Sequence, residues 1–174
     1  HMIFYTADHH FSHANIIKYE NRIFLDIDEM NIFMIKRWNE VVQDDDIVYY
    51  LGDFSFDKPA LFLKKLKGRK ILLKGNHDRR TSTHYLQAGF EKVEKEMFIT
   101  DMDKKIVLSH EPKRIWDGIH EGVYHFHGHL HSKDVEPFVT NRYNVGVDVW
   151  NYYPKSADEI IFGKNLISED FSLL

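Results

Sequence analysis

The sequence predicts an α/β chain in which helices pack against a pair of sheets. Three observations carry that expectation. In the first half, short apolar runs rich in β-formers alternate with segments that repeat at helical spacing. In the second half, strand signals follow one another with turn residues between them. The 174 residues, 43% of them apolar and 14% aromatic, are enough for one domain to bury its own core. A single domain over residues 2–174 is therefore expected, with His1 as a cloning remnant ahead of Met2.

Residues 3–7 are apolar and too few for a helix, so they read as a buried strand ending at Asp8. Ile27, Met30, Met34, Ile35, Trp38, Val41 and Val42 follow the spacing of one helix face, and Asp28 and Glu29 suit its positive N-terminal end. Residues 47–51 form a second strand, closed by Gly52 and Asp53. A helix is predicted over 59–67, where Pro59 is tolerated in the first turn, and Gly68 follows as its stop. Residues 70–73 supply a third strand, running into Gly75-Asn76-His77-Asp78, and a short helix over 81–88 stops at Gly89. Strands follow over 91–100, 104–109, 122–126 and 143–149. Ser156 and Glu159 have capping-box spacing and start a last helix.

Composition narrows the function classes. With 23 basic and 27 acidic side chains the formal charge is −4, so no overall basic field favours indiscriminate binding to nucleic acid or anionic membrane. No apolar run approaches the roughly 20 residues of a membrane span, and a soluble cytoplasmic protein with no membrane partner is expected. Cysteine is absent, which removes disulfides, thiolate metal sites and thiol nucleophiles, whereas histidine occurs 12 times.

The histidines and acids gather after strands. Asp8 with His10, Asp53, Asn76 with His77 and Asp78, His110, and His129 with His131 each come at or soon after a predicted strand end. Loops beyond the carboxyl ends of strands in an open α/β sheet converge on one rim, so these distant residues can share a site. Imidazole, carboxylate and amide oxygen without thiolate suit manganese, iron, zinc or nickel. Seven such ligands exceed what one tetrahedral ion needs, and a carboxylate can bridge two cations, so a dinuclear centre is the simplest reading.

In order, Asp8-x-His10, Gly52-Asp53, Gly75-Asn76-His77-Asp78, Ser109-His110 and Gly128-His129-x-His131 resemble the five blocks of the calcineurin-like metallophosphoesterases. Residues 11–17 and 144–148 are more loosely similar to a small bacterial and phage branch of that family. The resemblance implies a four-layer αββα sandwich of two mixed sheets flanked by helices. It places Asp8, His10 and His131 on one metal and Asn76, His110 and His129 on the other, with Asp53 bridging. The implied activity is hydrolysis of a phosphoester by a metal-bridging hydroxide that attacks phosphorus, with manganese named first among the two divalent cations. His77 is read as the general acid at the leaving oxygen, and Asp78 as the residue that holds its imidazole.

The favoured substrate is a phosphodiester of a nucleotide or nucleic acid, because little sequence lies outside the blocks to build a cap over the metals. A phosphomonoesterase or nucleotide pyrophosphohydrolase is the alternative within the enzyme class. A non-catalytic metal-binding scaffold is the alternative outside it. His13, Arg22 and Arg79 are candidates for substrate contact, guanidinium suiting phosphate. His9 is weighed between substrate contact and a hydrogen-bonded surface position, and His125 and His127 read as supporting or packing residues. Trp116, Trp150, Tyr152 and Tyr153 could form a stacking wall or pack over the core.

Overall fold

The structure, a computed structural model, describes residues 1–133 and 139–170, apart from the side chains of 164–170. Two four-stranded sheets organise it. β1 (Ile3–Thr6), β2 (Ile47–Tyr50), β3 (Arg69–Leu73) and β4 (Lys92–Glu94) lie in chain order, all parallel. In the second sheet, β5 (Glu96–Asp101) pairs antiparallel with β6 (Lys104–Ser109), and β7 (Tyr124–His127) and β8 (Arg142–Asn144) continue in parallel. The helices are α1 (Ala14–Tyr19), α2 (Ile27–Val41), α3 (Pro59–Leu63), α4 (Ser82–Ala88) and α5 (Ala157–Asp170). The fold is thus mixed α/β with two sheets and a few helices.

β1, β2 and β3 of the first sheet pack against cores on both faces, which is why they read as largely apolar runs. On one face Phe4, Val48, Tyr50 and Leu72 meet Met30, Met34 and Trp38 of α2, Phe62 and Leu63 of α3, and Tyr85 of α4. On the other face Tyr5, Leu51 and Leu73 meet Ile106, Leu108, Phe126 and Val145, so a second core fills the space between the sheets. Ala157 and Ile160 bring the start of α5 into that same core. Val107, facing away from it, is covered by Trp116 and Val123.

Four local expectations change. The strand expected over 91–100 is two strands, β4 in the first sheet and β5 in the second, with Lys95 at the corner. Val93, Met97 and Ile99 keep one parity, but Val93 packs on the helix-side core and the other two pack between the sheets, so alternation conceals the crossing. The helix expected over 59–67 ends at Leu63, and tighter backbone bonds from Lys65 to Phe62 and from Leu66 to Leu63 follow. Lys70 Nζ donates to the carbonyls of Leu63 and Leu66, satisfying that frayed end from the side. The strand expected over 143–149 stops at Asn144, whose side-chain oxygen accepts from Gly146 N and turns the chain. α1 was not expected, since six residues are too few to display a period.

Caps agree with the sequence. Asp26 accepts from Glu29 N at 2.8 Å at the start of α2. Ser156 and Glu159 exchange reciprocal bonds of 3.1 and 3.3 Å at the start of α5.

Candidate metal centre

The parallel strands point their carboxyl ends to one rim, and the loops beyond them are cross-tied. Asp8 N donates to Gly52 O, His10 N to Asp53 O, and Ala7 pairs with Gly146, just beyond β8. Asp8, His10, Asp53, His129 and His131, five of the seven expected ligands, sit at positive φ between 51° and 73°. Non-glycine residues rarely adopt that conformation, and strain of this kind persists where surrounding bonds over-determine it. Here those bonds are the cross-ties between the loops.

Two groups able to hold a metal ion result, Asp8 with His10 and His131, and Asp53 with His110 and His129. Asp53 lies where they meet, its Oδ2 3.5 Å from His10 Nε2 and 3.2 Å from His110 Nε2. Asn76 Oδ1 and His129 Nδ1 stand 3.0 and 3.2 Å from that same His110 nitrogen. His110 Nδ1 donates to Leu51 O at 2.7 Å, which leaves the Nε2 lone pair directed at the cluster. Small residues make room for it. A Cβ on Gly52 would lie 2.4 Å from His110 Nδ1, and one on Gly75 would lie 2.3 Å from Asp53 Oδ1.

The residues fit a pair of cations on their own electrostatics. Asp8 Oδ1 and His10 Nε2 are buried without a hydrogen-bond partner, an arrangement that costs free energy unless something else coordinates them. Burial pushes the Asp8 carboxyl up to about 7 despite the nearby His110 and His131, and burial brings His10 down to about 3 against the pull of Asp53. Burial also opposes charge on His110, yet its hydrogen bond to Asp53 and the two carboxylates hold it up at about 9. Asp53 feels the same burial, but His110 and His10 bring it down to about 2. A carboxyl and an imidazole pushed toward their neutral forms, packed beside an imidazole pulled toward its charged form, are a poor arrangement without metal. Divalent cations would satisfy all three.

The sequence reasoning missed the support behind these ligands. Asp148 Oδ2 accepts from His131 Nδ1 at 2.7 Å, which leaves the other ring nitrogen free for a metal. Arg22 holds Asp148 through Nε and Nη2 at 2.9 and 3.1 Å, and donates to the carbonyls of Asp8 and His9, each at 2.7 Å. The expectation that Arg22 contacts substrate is therefore corrected. Its side chain is wholly inaccessible, and its donors are spent on fastening the loop that carries Asp8 and His10 to the turn that carries Asp148. The loose similarity of residues 144–148 was the one signal that could have led to Asp148.

Asp78 is corrected as well. It accepts from the backbone N–H groups of Asp53, Phe54 and Gly75 at 2.7 to 3.0 Å, so both carboxylate oxygens are engaged in locking two ligand loops together. His77 is exposed, with its backbone N–H on Asp53 Oδ1 at 2.9 Å and its ring 5.5 Å from that of His10. His13 is half-buried at the same rim, 5.7 Å from His10, while Arg79 is exposed beyond it.

His9 is fully buried, against Tyr50 Oη and Phe11, and is neither a surface residue nor a substrate contact. His125 uses both nitrogens on backbone groups, Val107 O and Lys113 N. Trp116 and Trp150 are core residues, and Tyr152 packs on Phe24 and Phe33. A cleft of about 560 Å³ opens beside the second group, lined by Asn76, His110 and the lysines 74, 95 and 113.

The chain matches no protein-family model. It is 38% identical over 168 residues to the uncharacterized protein MJ1445 of Methanocaldococcus jannaschii, covering 91% of this chain and 89% of that protein. It is also similar to the gene 66 protein of Mycobacterium phage D29, 28% identical over 180 residues and covering 86% and 89% of the two chains. Among solved structures it resembles a protein of unknown function from Aquifex aeolicus, AQ665, with a TM-score of 0.70, 25% identity and 99% of each chain covered.

Proposed function

This chain belongs to the family of the Methanocaldococcus jannaschii protein MJ1445, and we propose that it is a phosphoester hydrolase working with two divalent cations. The observation that carries this reading is the pair of three-residue groups meeting at Asp53, with the exposed His77 beside them, its ring 5.5 Å from that of His10. The resemblance of the five sequence blocks to calcineurin-like metallophosphoesterases supports it, and similarity to a phage protein favours the small bacterial and phage branch.

Asp8, His10 and His131 would hold one cation, and Asn76, His110 and His129 the other, with Asp53 shared. Manganese is our first choice, and iron, zinc or nickel suit the same donors. When bound, such a pair supplies a water ionised near neutral pH and polarises the phosphoryl oxygens. The remaining work belongs to the chain. Leu51 O and Asp148 fix the tautomers of His110 and His131. The His77 backbone, held on Asp53, keeps its imidazole beside the ring of His10, from where it would give a proton to the leaving oxygen. Arg22 and Asp78 keep the loops from separating.

The open rim and the adjoining cleft favour a phosphodiester of a nucleotide or nucleic acid over a small monoester. We take residues 2–174 as one domain acting in the cytoplasm. The test is turnover by manganese- or nickel-loaded protein, with bis(p-nitrophenyl) phosphate hydrolysed faster than p-nitrophenyl phosphate. The reverse order makes it a monoesterase. Turnover of neither ester with either metal leaves a metal-binding scaffold.

A further inference from the structure

Beside the first ligand group the structure exposes aromatic rings that the proposed chemistry does not use. Phe56 is 55% exposed and Tyr19 is 66% exposed. The half-buried ring of His13 lies between them, 4.0 Å from Phe56 and 6.3 Å from Tyr19. Phe56 is also 6.4 Å from the ring of His10 and 6.1 Å from that of His77. The shelf therefore begins one ring's width from the expected ligands.

Its backbone is held in place. Phe56 N donates to Phe11 O, Phe11 N donates to Phe54 O, and Phe11 pairs with Ser55, so the exposed ring rides on a segment bonded to the loop that carries His10. His13 Nδ1, at the same shelf, is buried without a hydrogen-bond partner. Exposed aromatic rings on a fixed backbone suit a flat ligand that stacks on them.

We propose that Phe56, with His13 and Tyr19, is a stacking shelf for the nucleobase of a nucleotide whose phosphate lies at the metal centre. The proposal rests on the hydrolase reading for its phosphate and adds the group that phosphate carries. A base is joined to its phosphate through one sugar, which spans the step from His10 to Phe56. Stacking accepts any base, so the shelf selects nucleotides as a class without reading sequence.

The experiment compares binding of 5′-deoxythymidine 5′-phosphonate and ethylphosphonate to manganese-loaded protein by calorimetry. Both contain a P–C bond that cannot be hydrolysed, so the result does not depend on turnover. The nucleoside phosphonate is expected to bind roughly tenfold tighter or more, Phe56→Leu to remove that advantage, and Phe56→Tyr to keep it. Manganese content, measured on each variant, should stay that of the unaltered protein. Equal affinities for the two phosphonates, no binding of either, or an advantage that survives in Phe56→Leu would overturn the shelf. A short oligothymidylate competing no better than the mononucleoside phosphonate assigns the shelf to a free nucleotide, and stronger competition assigns it to a strand end. If bis(p-nitrophenyl) phosphate is not turned over while the tenfold advantage persists, the hydrolase reading fails and the shelf stands.

Discussion

The ring of His131 is oriented by Asp148, which is itself held from behind by Arg22. His131 Nδ1 bonds Asp148, Asp148 is forked by Arg22, and Arg22 binds the carbonyls of Asp8 and His9, so ligand and partner loop are fixed as one unit. Asp148→Asn keeps the shape but removes the anion that supports ring basicity. It should weaken metal binding about 10–100-fold, as loss of such partners typically does. Calorimetric titration with manganese checks this, and unchanged affinity would leave Asp148 a packing residue. The two central roles separate in the same way. Asp53→Ala should lose bound metal by elemental analysis, whereas His77→Ala should retain it and lose about 10²–10⁴ in rate. Full metal in Asp53→Ala would contradict the shared carboxylate.

The loops depend on glycines where the backbone must pass close to a ligand. Gly52 has φ +93°, and a Cβ there would meet both His110 Nδ1 at 2.4 Å and Gly75 N at 2.7 Å. Gly52→Ala therefore strains the backbone and displaces a ligand together. The expected outcome is a loss of stability of about 2–4 kcal/mol in urea titration, with metal content falling alongside it. A variant with unaltered stability and metal content would show that the loop relaxes freely. At this scale the sequence misleads most at 91–100 and 143–149, where a strand crosses between sheets and another stops early to turn Asp148 inward. Alternation reports which side of the chain is apolar. It does not report which core that side meets.

For the whole molecule, buried histidines set the response to acid. Burial brings His125 down to about 4 and His127 down to about 3, and His9 lies well below its ordinary range for the same reason. Between pH 6.5 and about 4 the unfolded chain takes up protons at these positions while the folded chain does not, so stability falls as pH falls through that window. Asp8, raised to about 7 by burial, and Asp78, also raised by burial, work in the opposite sense, as two groups against several. The metal-free protein should therefore lose urea resistance steadily from pH 6.5 to 4.5. His125→Gln should flatten that slope by up to one proton, ~1.4 kcal/mol per pH unit. An unchanged slope would mean that His125 titrates alike in the folded and unfolded chains. Among the described residues no helix is long and apolar enough to cross a membrane.

The sequence by itself determined the α/β class and most strands of the first sheet, because strands buried on both faces are legible as apolar runs. It also determined which side chains could bind metal, because each follows a strand end and the donor chemistry belongs to the residue type. Only the tertiary structure brings them within reach of one another, in groups that match the division the resemblance implied. The meeting of two groups at Asp53, the capture of Asp78 by backbone N–H groups and the burial of Arg22 all depend on contacts between loops distant in sequence. The same holds for the aromatics. Trp116 and Trp150 went to cores, and Phe56 was left at the rim. Exposure is a property of what packs against a ring, and local sequence pattern does not record the distant partners that decide it.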